Sequence, residues 1–572
     1  MPTIFPTETD GIHDVISSGG MSSTSHPLAT SAATEVLLAG GNAVDSAIAA
    51  AFALAVCEPA MSHLGGQGNM LVYLAEEKRT IALDFYACAP GAAAPDMYDW
   101  IESPTQGGYR FWTEGDHNTI GGRSVAIPGN ICGWLTAHQR WGTLPLADVV
   151  APARRLALQG VPLTPRIASL TAEVRDRLAK FPETAKTLLY PDGTPRKPGD
   201  IVRQPDLAGT LDILVRDGLE AFYNGPLAQA IVAEVRGLGG ELSLDDLRAY
   251  PEDLFIERDP DVASFRGFEV QGATLASSAL LLHLLTLLDE CDFRDLEPLG
   301  PDAVHLLVEV MKLAYAERDE HIADGNQVDI PFEGLLSREY ARSRLAQVDP
   351  QRARFPGPGM PWAFQDRQPN PAKALGSMNG QAGPGAGTTH HSHVDAAGNF
   401  VSITHSLGDP FGSCVTVPGT GILLNDAMKL FDPRPDAGIH GIAPYRRPIA
   451  PWPTLLLRDG QAVLALGSPS GTRIPNALAQ VLLNLTDHGM SLQAAVNQPR
   501  IHWSGHEFEA EGDFPEATLA ELRERGHQIE LHGPRAPWLG AVQAVARHPE
   551  TGISQGAADP RRQGAVAGVV AM

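Results

Sequence analysis

The sequence of 572 residues predicts a protein of the α+β class, and three observations support this class. Apolar residues recur at helical spacing from Leu28 to Cys57 and over most of the stretch from Leu144 to Arg318. Strand patterns follow glycine-rich turns in the first half, as in the strand that begins near Met70. After a Gly/Pro-rich segment at 356–387, the pattern changes to short alternating strands and turns.

The composition indicates a chain with a large core and a surface that repels polyanions. Hydrophobic residues make up 43% and charged residues 19%, which excludes an intrinsically disordered protein. Because the net charge is −24, we expect neither nucleic acid nor a membrane as a partner. The five cysteines form no C-x-x-C pair, so neither a disulfide framework nor a thiolate zinc site is expected.

The N-terminal segment and the hydropathy pattern bear on localisation. The first residues lack the basic and apolar regions of a secretory signal. No uninterrupted apolar run reaches the ~20 residues of a membrane-spanning helix. We therefore expect a soluble cytoplasmic protein.

Local sequence signals place the individual elements. GGNAVD, from Gly40 to Asp45, separates two helices. SHLGGQGNM, from Ser62 to Met70, is a turn that leads into the strand MLVYLA. TIALDFYACAP, from Thr80 to Pro90, predicts another strand, and AVHLLVEVMKLAYAERDEHI, which begins at Ala303, predicts an amphipathic helix.

The Gly/Pro-rich segment 356–387 predicts an exposed, mobile linker. It is the best candidate for a boundary and divides the chain into 1–387 and 388–572. The stretch GTTHHSHVDAAGNFVSITHS lies at its end. The candidate catalytic residues of this stretch therefore directly follow the predicted linker.

This stretch, from Gly387 to Ser406, predicts a β-hairpin. Asp395 to Asn399 forms a three-residue loop with glycine at its third position, where a left-handed conformation is needed. With Ala397 at the apex, Thr388 faces Ser406 across the hairpin. One face carries Thr388, His390, Ser392, Thr404 and Ser406, and the other carries His391, His393, Asp395, Ile403 and His405.

The histidines allow one chemical interpretation of the hairpin. His391, His393 and Asp395 form an H-x-H-x-D motif that, with His405, would hold the cation of a metal hydrolase. Binuclear hydrolases with this motif carry another histidine after the aspartate, where this chain has Ala396. The alternative is that these histidines only make ordinary hydrogen bonds. We expect no metal and no other cofactor.

Thr388 allows the second interpretation. A threonine hydroxyl is inert at neutral pH unless a base activates it. Cleavage of the Gly387–Thr388 bond would give Thr388 a free α-amine, whose ordinary pKa of ~7.7–8 suits a general base. Ser406, opposite in the hairpin, would orient the hydroxyl. An ordinary strand threonine is the alternative.

A site for a developing oxyanion is predicted further along the chain. ALGSPSGTRI, from Ala465 to Ile474, lies between a predicted strand and a predicted helix. Backbone N–H groups of a Ser-Gly turn before a helix favour negative charge. The segment is not a G-x-S-x-G elbow, because Pro469 occupies its third position. A simple turn into a helix is the alternative.

Taken together, these motifs resemble the gamma-glutamyltranspeptidase family of N-terminal-nucleophile hydrolases, nearly from end to end. The matching segments are GGNAVDSA (Gly40 to Ala47), LGGQG (Leu64 to Gly68), LDFYACAP (Leu83 to Pro90), IPGNICG (Ile127 to Gly133), TTHHS (Thr388 to Ser392), GILLND with its following Met (Gly421 to Met428) and GSPSGTRI (Gly467 to Ile474). The set is far more specific than the hairpin alone.

The resemblance implies a four-layer αββα sandwich and autocatalytic cleavage before Thr388. Residues 1–387 would form a large chain and 388–572 a small chain, and the two would remain together as a heterodimer. Thr388 would form an acyl-enzyme with a small-molecule amide. Ser406 matches the second hydroxyl of the family, and Ser470 and Gly471 match its oxyanion pair.

Departures from the family pattern concern the substrate. Tyr86 stands where the family has the arginine that binds the glutamyl carboxylate, and Leu430 stands where it has the aspartate that binds the amine. Gly408 replaces an asparagine, and Trp452 lies in a replaced Ser-Ser segment. The loss of charge-assisted hydrogen bonds costs ~1.5–3 kcal/mol each, so a glutamyl substrate should bind poorly. These replacements predict a more apolar pocket.

Two further residues belong to the predicted substrate site. Thr404 shares the face of Thr388, and Arg447 is a candidate for binding a substrate carboxylate, as are Arg446 and Arg473. The resulting prediction is an autoprocessed amidohydrolase of gamma-glutamyltranspeptidase type with altered specificity. Acylated β-lactams and small amides such as oxamate are candidate substrates by analogy with divergent relatives. The alternatives are a genuine gamma-glutamyl hydrolase or transpeptidase, an unprocessed non-enzymatic relative and a metal hydrolase.

Overall fold

The computed structural model describes residues 5, 14–102, 111–273, 275–367, 387–448, 453–503, 505 and 508–570. Two seven-stranded sheets stack face to face between two layers of helices. The predicted α+β class and the αββα sandwich implied by the resemblance are both confirmed.

The sheet that contains Thr388 is called sheet I. Its strands, in spatial order, are Ala565–Gly568, Met21–Thr24, Gly387–Val394, Phe400–Gly408, Gln67–Leu74, Arg79–Phe85 and Ile256–Arg258. All neighbouring strands in it are antiparallel. Gly387–Val394 and Phe400–Gly408 are buried at every residue, because both faces of the sheet are covered.

Sheet II covers the inner face of sheet I. Its strands, in spatial order, are Val15–Ser17, Ser554–Ala558, Gln543–Arg547, Gln461–Gly467, Thr454–Arg458, Phe268–Gly272 and Asp261–Phe265. Apolar side chains between the sheets include Leu71 and Phe400 from sheet I and Leu455 and Val545 from sheet II. This shared core fixes the distance between the two sheets.

Helices cover the two outer faces. Those on sheet I are Pro27–Leu38, Ala43–Cys57, Asn130–Trp141, Leu146–Gln159, Pro205–Tyr223 and Pro226–Gly237. Those on sheet II are Leu275–Asp289, Pro301–His321, Arg338–Leu345, Ile474–Thr486, Leu492–Asn497 and Glu516–Glu524. Within the described ranges, no helix combines the length and apolar character needed to cross a membrane.

Shorter elements complete the described chain. The remaining helices are Pro165–Glu173, Arg175–Leu178, Pro182–Leu188, Leu244–Ala249 and Phe332–Leu335. The remaining strands are Trp100–Ile101 with Trp112–Thr113, Val161–Pro162 with Ile201–Val202, and the set Ile501–Trp503, Phe508–Ala510 and Ile529–Leu531.

The helix Ala43–Cys57 shows why the sequence folds in this way. It is rich in alanine and buried at every residue, so neighbouring helices and sheet I approach it closely. Asn42 caps its N-terminus and forms a capping box with Asp45. The predicted break between the two helices is therefore confirmed with a correction to its bounds: it spans 39–42, and the predicted residues 43–45 belong to the second helix.

Three local predictions need correction. The predicted strand from Thr80 to Pro90 ends at Phe85, and strands occupy part of the helical region between residues 256 and 272. In the predicted linker, the described residues 356–367 are partly packed. There the Gly359 N–H donates to Glu317 at 2.9 Å, and Trp362 is buried. Residues 368–386 lie outside the described residues, and Gly387, the last residue of the predicted linker, already begins a buried strand.

Candidate active site

The hairpin has the register that its sequence predicts. Thr388 pairs with Ser406, and Ser392 pairs with Ser402. Gly398 has φ of +89°, the left-handed conformation expected for the third residue of the loop. A bulge next to Thr388 pairs Gly387 with Gly408, two residues beyond Ser406.

Three groups at the start of the hairpin form a hydrogen-bonded chain. The Thr388 Oγ1 lies 2.9 Å from the Ser406 Oγ, and the Ser406 hydroxyl donates to the Gly387 carbonyl oxygen at 2.7 Å. The Gly408 N–H donates to the Ser406 Oγ at 2.9 Å. Since Ser406 gives its proton to Gly387, Thr388 is the donor in the hydroxyl pair. The predicted nucleophile therefore lies beside the peptide bond that it is predicted to cleave.

Gly408 meets two local requirements. Its φ is +104°, and a Cβ at this position would lie 1.9 Å from the Asp426 Oδ1. The Asp426 carboxylate thus occupies space next to the backbone at 408, and its Oδ1 accepts from the Asp409 N–H at 2.9 Å. Burial raises the pKa of Asp426 to about 7. An asparagine at 408 would not fit beside Asp426.

The predicted oxyanion turn precedes the helix Ile474–Thr486. Ser470 has φ of +100° and Gly471 has φ of +55°. Successive N–H groups of such turns form concavities that bind anions. A left-handed serine costs about 1–3 kcal/mol, and strain of this kind concentrates at functional sites.

Arg562 connects this turn to Thr388. Its Nη1 donates to the Thr388 carbonyl oxygen at 2.6 Å, and its Nη2 donates to the Ser470 Oγ at 3.3 Å. The predicted nucleophile and the predicted oxyanion turn are therefore adjacent, although they come from different sheets. Thr389, next to Thr388, donates its hydroxyl to the buried Glu58 carboxylate at 2.9 Å.

The opposite face of the hairpin holds a closed histidine network. The His391 ring nitrogens lie 2.7 Å from the His393 Nε2 and 3.0 Å from the His405 Nε2. Hydrogen bonds of His405 to Ser62 at 2.6 Å and of His393 to Ser46 at 2.9 Å complete the network. Burial lowers the pKa of His393 and of His405 to about 3, and that of His391 well below its usual value. The ring nitrogens of these histidines are used in hydrogen bonds to one another and to serines, so they are not arranged to bind a cation.

One group elsewhere in the described part of the chain has the donor set of a metal site. His305, Glu309 and His527 place ligand atoms within 4.8 Å of one another. The carboxylate of Glu309 already pairs with Lys312 at 2.5 Å, which neutralises its charge. A cavity of about 1030 Å³ lies next to Ser470, and none of these three residues lines it.

The predicted substrate residues are not gathered around one pocket. The Thr404 hydroxyl binds His390 at 2.8 Å in the core between the sheets. Tyr86 is buried and Leu430 is half-buried, and neither lines the cavity next to Ser470. Arg447 lies 3.5 Å from Asp84 in a buried ion pair. Trp452 lies outside the described residues.

The cavity next to Ser470 is lined by other residues than those predicted to bind the substrate. It measures about 1030 Å³, and charged side chains such as Arg166, Arg473 and Arg562 line it together with Trp538. Sequence reasoning missed Arg166, Arg562, Glu58 and Asp426. Asp426 is the last residue of the quoted GILLND motif, and the other three lie outside the quoted motifs.

Comparisons with known proteins place the chain in a family. The family described as Gamma-glutamyltranspeptidase matches residues 29–569. The chain is 36% identical over 551 residues to an acylase ACY 1 proenzyme from Pseudomonas sp. (strain SE83), covering 96% of this chain and 93% of the relative. It is 33% identical over 556 residues to a glutathione hydrolase proenzyme from Bacillus subtilis (strain 168), covering 96% and 91%.

Solved structures agree with the sequence relatives. A cephalosporin acylase from Bacillus halodurans superposes with a TM-score of 0.85 at 28% identity, and the match covers 100% of both chains. The likeness therefore includes both sheets and both helical layers. The chain belongs to the gamma-glutamyltranspeptidase family.

Proposed function

We propose that this chain is an autoprocessed amidohydrolase that cleaves a small-molecule acyl amide through an acyl-enzyme on Thr388. The observation that carries the proposal is the contact chain from the Thr388 hydroxyl through Ser406 to the Gly387 carbonyl oxygen. Membership of a family with acylase and glutathione hydrolase relatives supports the reaction class.

The first reaction is cleavage of the chain itself. The Thr388 Oγ1 attacks the Gly387 carbonyl carbon, and the Ser406 hydroxyl stabilises the negative charge on the Gly387 oxygen. The C–N bond breaks, the nitrogen takes up the hydroxyl proton, and an ester joins Gly387 to the Thr388 oxygen. Water hydrolyses this ester and leaves a carboxylate on Gly387 and a free amine on Thr388.

The two products stay together because the new N-terminus begins a buried strand. Gly387–Val394 lies inside sheet I, with Met21–Thr24 on one side and Phe400–Gly408 on the other. The large chain contributes Met21–Thr24 and the small chain contributes both strands of the hairpin. We therefore expect a stable heterodimer.

Turnover uses the same hydroxyl with a new base. The free α-amine of Thr388 removes the hydroxyl proton, and the oxygen attacks the substrate carbonyl. Backbone N–H groups of Ser470 and Gly471 stabilise the oxyanion. The protonated amine gives its proton to the leaving amine, and water then hydrolyses the acyl ester.

Mass spectrometry of the purified protein tests the proposal. We expect chains of 387 residues and of 572 − 387 = 185 residues from the wild type. Thr388→Ala should stay intact and inactive because it lacks the hydroxyl. Thr388→Ser is the matched control and should still be cleaved. A wild-type chain that remains intact and inactive would contradict the proposal and favour a non-enzymatic relative.

A gamma-glutamyl hydrolase or transpeptidase is the second candidate, because glutathione hydrolase proenzymes match most of the chain. Against it, Tyr86 and Leu430 carry no charge for a zwitterionic head group, and Asp426 leaves no room for a side chain at 408. Assays with gamma-glutamyl 4-nitroanilide and with acyl 4-nitroanilides distinguish the two. Faster turnover of the glutamyl anilide would favour the second candidate.

A further inference from the structure

The cavity beside Ser470 contains more positive charge than its own carboxylates neutralise. Most of its cations have a carboxylate within 4.0 Å. These paired cations, with their partners, are Arg473 with Glu509, Lys429 with Asp409, Arg177 with Asp116 and Asp409, and Arg561 with Glu511 and Asp559. They are held by the protein and are not free to bind a substrate.

Two arginines in this cavity differ from the others. No carboxylate oxygen of the described residues lies within 4.0 Å of the guanidinium of Arg166 or of Arg562. The Nε of each is buried without a hydrogen-bond partner in that part of the chain. Glu58 acts on both arginines at longer range, as does Glu173 on Arg166 and Asp559 on Arg562.

The position of Arg562 relates this charge to the chemistry. Arg562 is 6% exposed and binds the Thr388 carbonyl oxygen and the Ser470 hydroxyl. Burial and the neighbouring Arg166 lower its pKa to about 9, so it remains protonated at neutral pH. Two like charges in one partly buried site are unfavourable unless an anion joins them.

We propose that Arg166 and Arg562 together bind a carboxylate carried by the amide substrate. This inference rests on the proposed amidohydrolase function and names the substrate class. A guanidinium offers a planar fork that matches a carboxylate, and a cavity of about 1030 Å³ accommodates a substrate of that kind. The carboxylate would lie within a few bonds of the scissile carbonyl, because Arg562 contacts Thr388 itself.

The other arginines named from the sequence do not serve this purpose. Arg447 pairs with Asp84, and Arg473 pairs with Glu509. Arg446 donates to Gln327 and to backbone carbonyl groups. The charge for the substrate therefore comes from a helix near residue 165 and from the C-terminal region.

Three anilides test the proposal on the wild-type enzyme. N-glutaryl-4-nitroanilide carries a carboxylate on the acyl side, N-pentanoyl-4-nitroanilide is its neutral counterpart of equal length, and N-pentanoyl-4-aminobenzoate carries the carboxylate on the amine side. One charge-assisted pair is worth ~1.5–3 kcal/mol, so kcat/KM should favour one of the two charged substrates by about 10–100-fold. The charged substrate with the higher kcat/KM shows whether the arginines bind a carboxylate on the acyl group or on the amine.

Two variants locate the effect. Arg166→Gln should lower the ratio of kcat/KM on the charged substrate to that on the neutral one by about 10–100-fold. Arg177→Gln is the matched control, since Arg177 lines the same cavity but lies 3.9 Å from Asp116 and from Asp409, and it should keep the ratio. Equal rates for all three substrates, or an unchanged ratio in Arg166→Gln, would overturn the proposal.

A binding measurement separates this inference from the proposed function. Free glutarate should raise the Tm of the wild type and should have little effect on Arg166→Gln, whether or not any amide is hydrolysed. If the enzyme is cleaved, hydrolyses every anilide at the same rate and does not bind glutarate, the arginine site is refuted and the proposed function is not. If the chain stays intact and inactive but still binds glutarate through Arg166, the proposed hydrolysis is refuted and the arginine site is supported.

Discussion

The two faces of the hairpin are built from the same two strands, yet they differ in where their polar groups lead. On the histidine face, His391, His393 and His405 bind one another and nearby serines, so the network ends within the protein core. On the hydroxyl face, the contacts run from Thr388 through Ser406 to the carbonyl of Gly387. A closed network stabilises the fold, whereas a chain that ends on a particular peptide bond is poised for chemistry.

The surroundings of the two faces reinforce this difference. The histidine face packs on helices, and the Trp134 ring lies 5.2 Å from that of His405. The hydroxyl face packs on sheet II and opens at one end toward Arg562 and the charged cavity. Of the two faces, the one that carries Thr388 is therefore the one that leads to the cavity.

Removal of the Ser406 hydroxyl should have the largest effect in this comparison. Ser406→Ala deletes the donor to the Gly387 oxygen, and loss of one oxyanion donor typically slows a reaction by ~100–1000-fold. The rate of chain cleavage, followed by gel electrophoresis after synthesis, measures this effect. Ser392→Ala is the control on the same face, because the Ser392 hydroxyl binds His390 and the Gln543 carbonyl. Cleavage of Ser406→Ala at the wild-type rate would contradict the assigned role.

Restoration of the family asparagine at 408 should come next. Gly408→Asn forces a left-handed backbone onto a larger residue and drives its Cβ into Asp426, which should cost about 2–4 kcal/mol of stability. Tm measured by scanning calorimetry tests this cost. In the double variant with Asp426→Ala, much of the loss should be recovered, because the clash is removed. Equal losses with and without Asp426 would show that the clash is not the cause.

The histidine face should respond to acid. Unfolded histidines have a pKa near ~6.5, whereas burial holds His393 and His405 near 3 in the fold. Between these values the unfolded chain binds more protons, so stability falls as the pH drops below 6.5. At pH 5 each buried histidine should cost on the order of 1–2 kcal/mol.

The variant His405→Asn isolates this contribution. It removes one titrating group, so the decrease in Tm between pH 7 and pH 5 should be smaller than in the wild type. His117→Asn, at an exposed position, is the control and should leave that decrease unchanged. A steeper pH dependence in His405→Asn would show that the ring is charged in the folded state.

The sequence predicts the hairpin better than the site around it, and the reason is physical. Alternation and the glycine loop act over a few residues, so the pairing of Thr388 with Ser406 follows from local chemistry. The contact of Arg562 with Thr388 joins residues 174 positions apart, and no local pattern encodes it. Such proximity follows only from the stacking of the sheets.

The charged residues around the cavity next to Ser470 escape sequence analysis for a related reason. The sequence alone does not show a partner for the charge of Arg447, but in the fold it lies beside Asp84. Tyr86 and Leu430 predict an apolar site because the sequence shows which family charges are missing. It does not show which distant residues line the cavity next to Ser470. The overall sandwich was predictable because several motifs spread over the chain carried the resemblance together.

Asp426→Asn should show a pH response opposite to that of the histidine face. Burial raises the pKa of Asp426 to about 7, above the unfolded value near 3.8. The folded chain therefore binds more protons between these values, so the stability that this group contributes is fully present below pH 3.8 and is lost as the pH rises through 7. Asparagine keeps the acceptor for the Asp409 N–H but cannot ionise.

Chemical denaturation of Asp426→Asn at pH 5 and at pH 8 measures this contribution. Relative to the wild type, the variant should gain on the order of 2–3 kcal/mol between the two pH values, because only the wild type must ionise a buried carboxyl at pH 8. An equal pH response in both proteins would mean that Asp426 is already paired with a cation. The buried polar groups near Thr388 would then be as fully paired as the histidines. The two faces would differ only in the hydrogen bond from Ser406 to the Gly387 carbonyl oxygen.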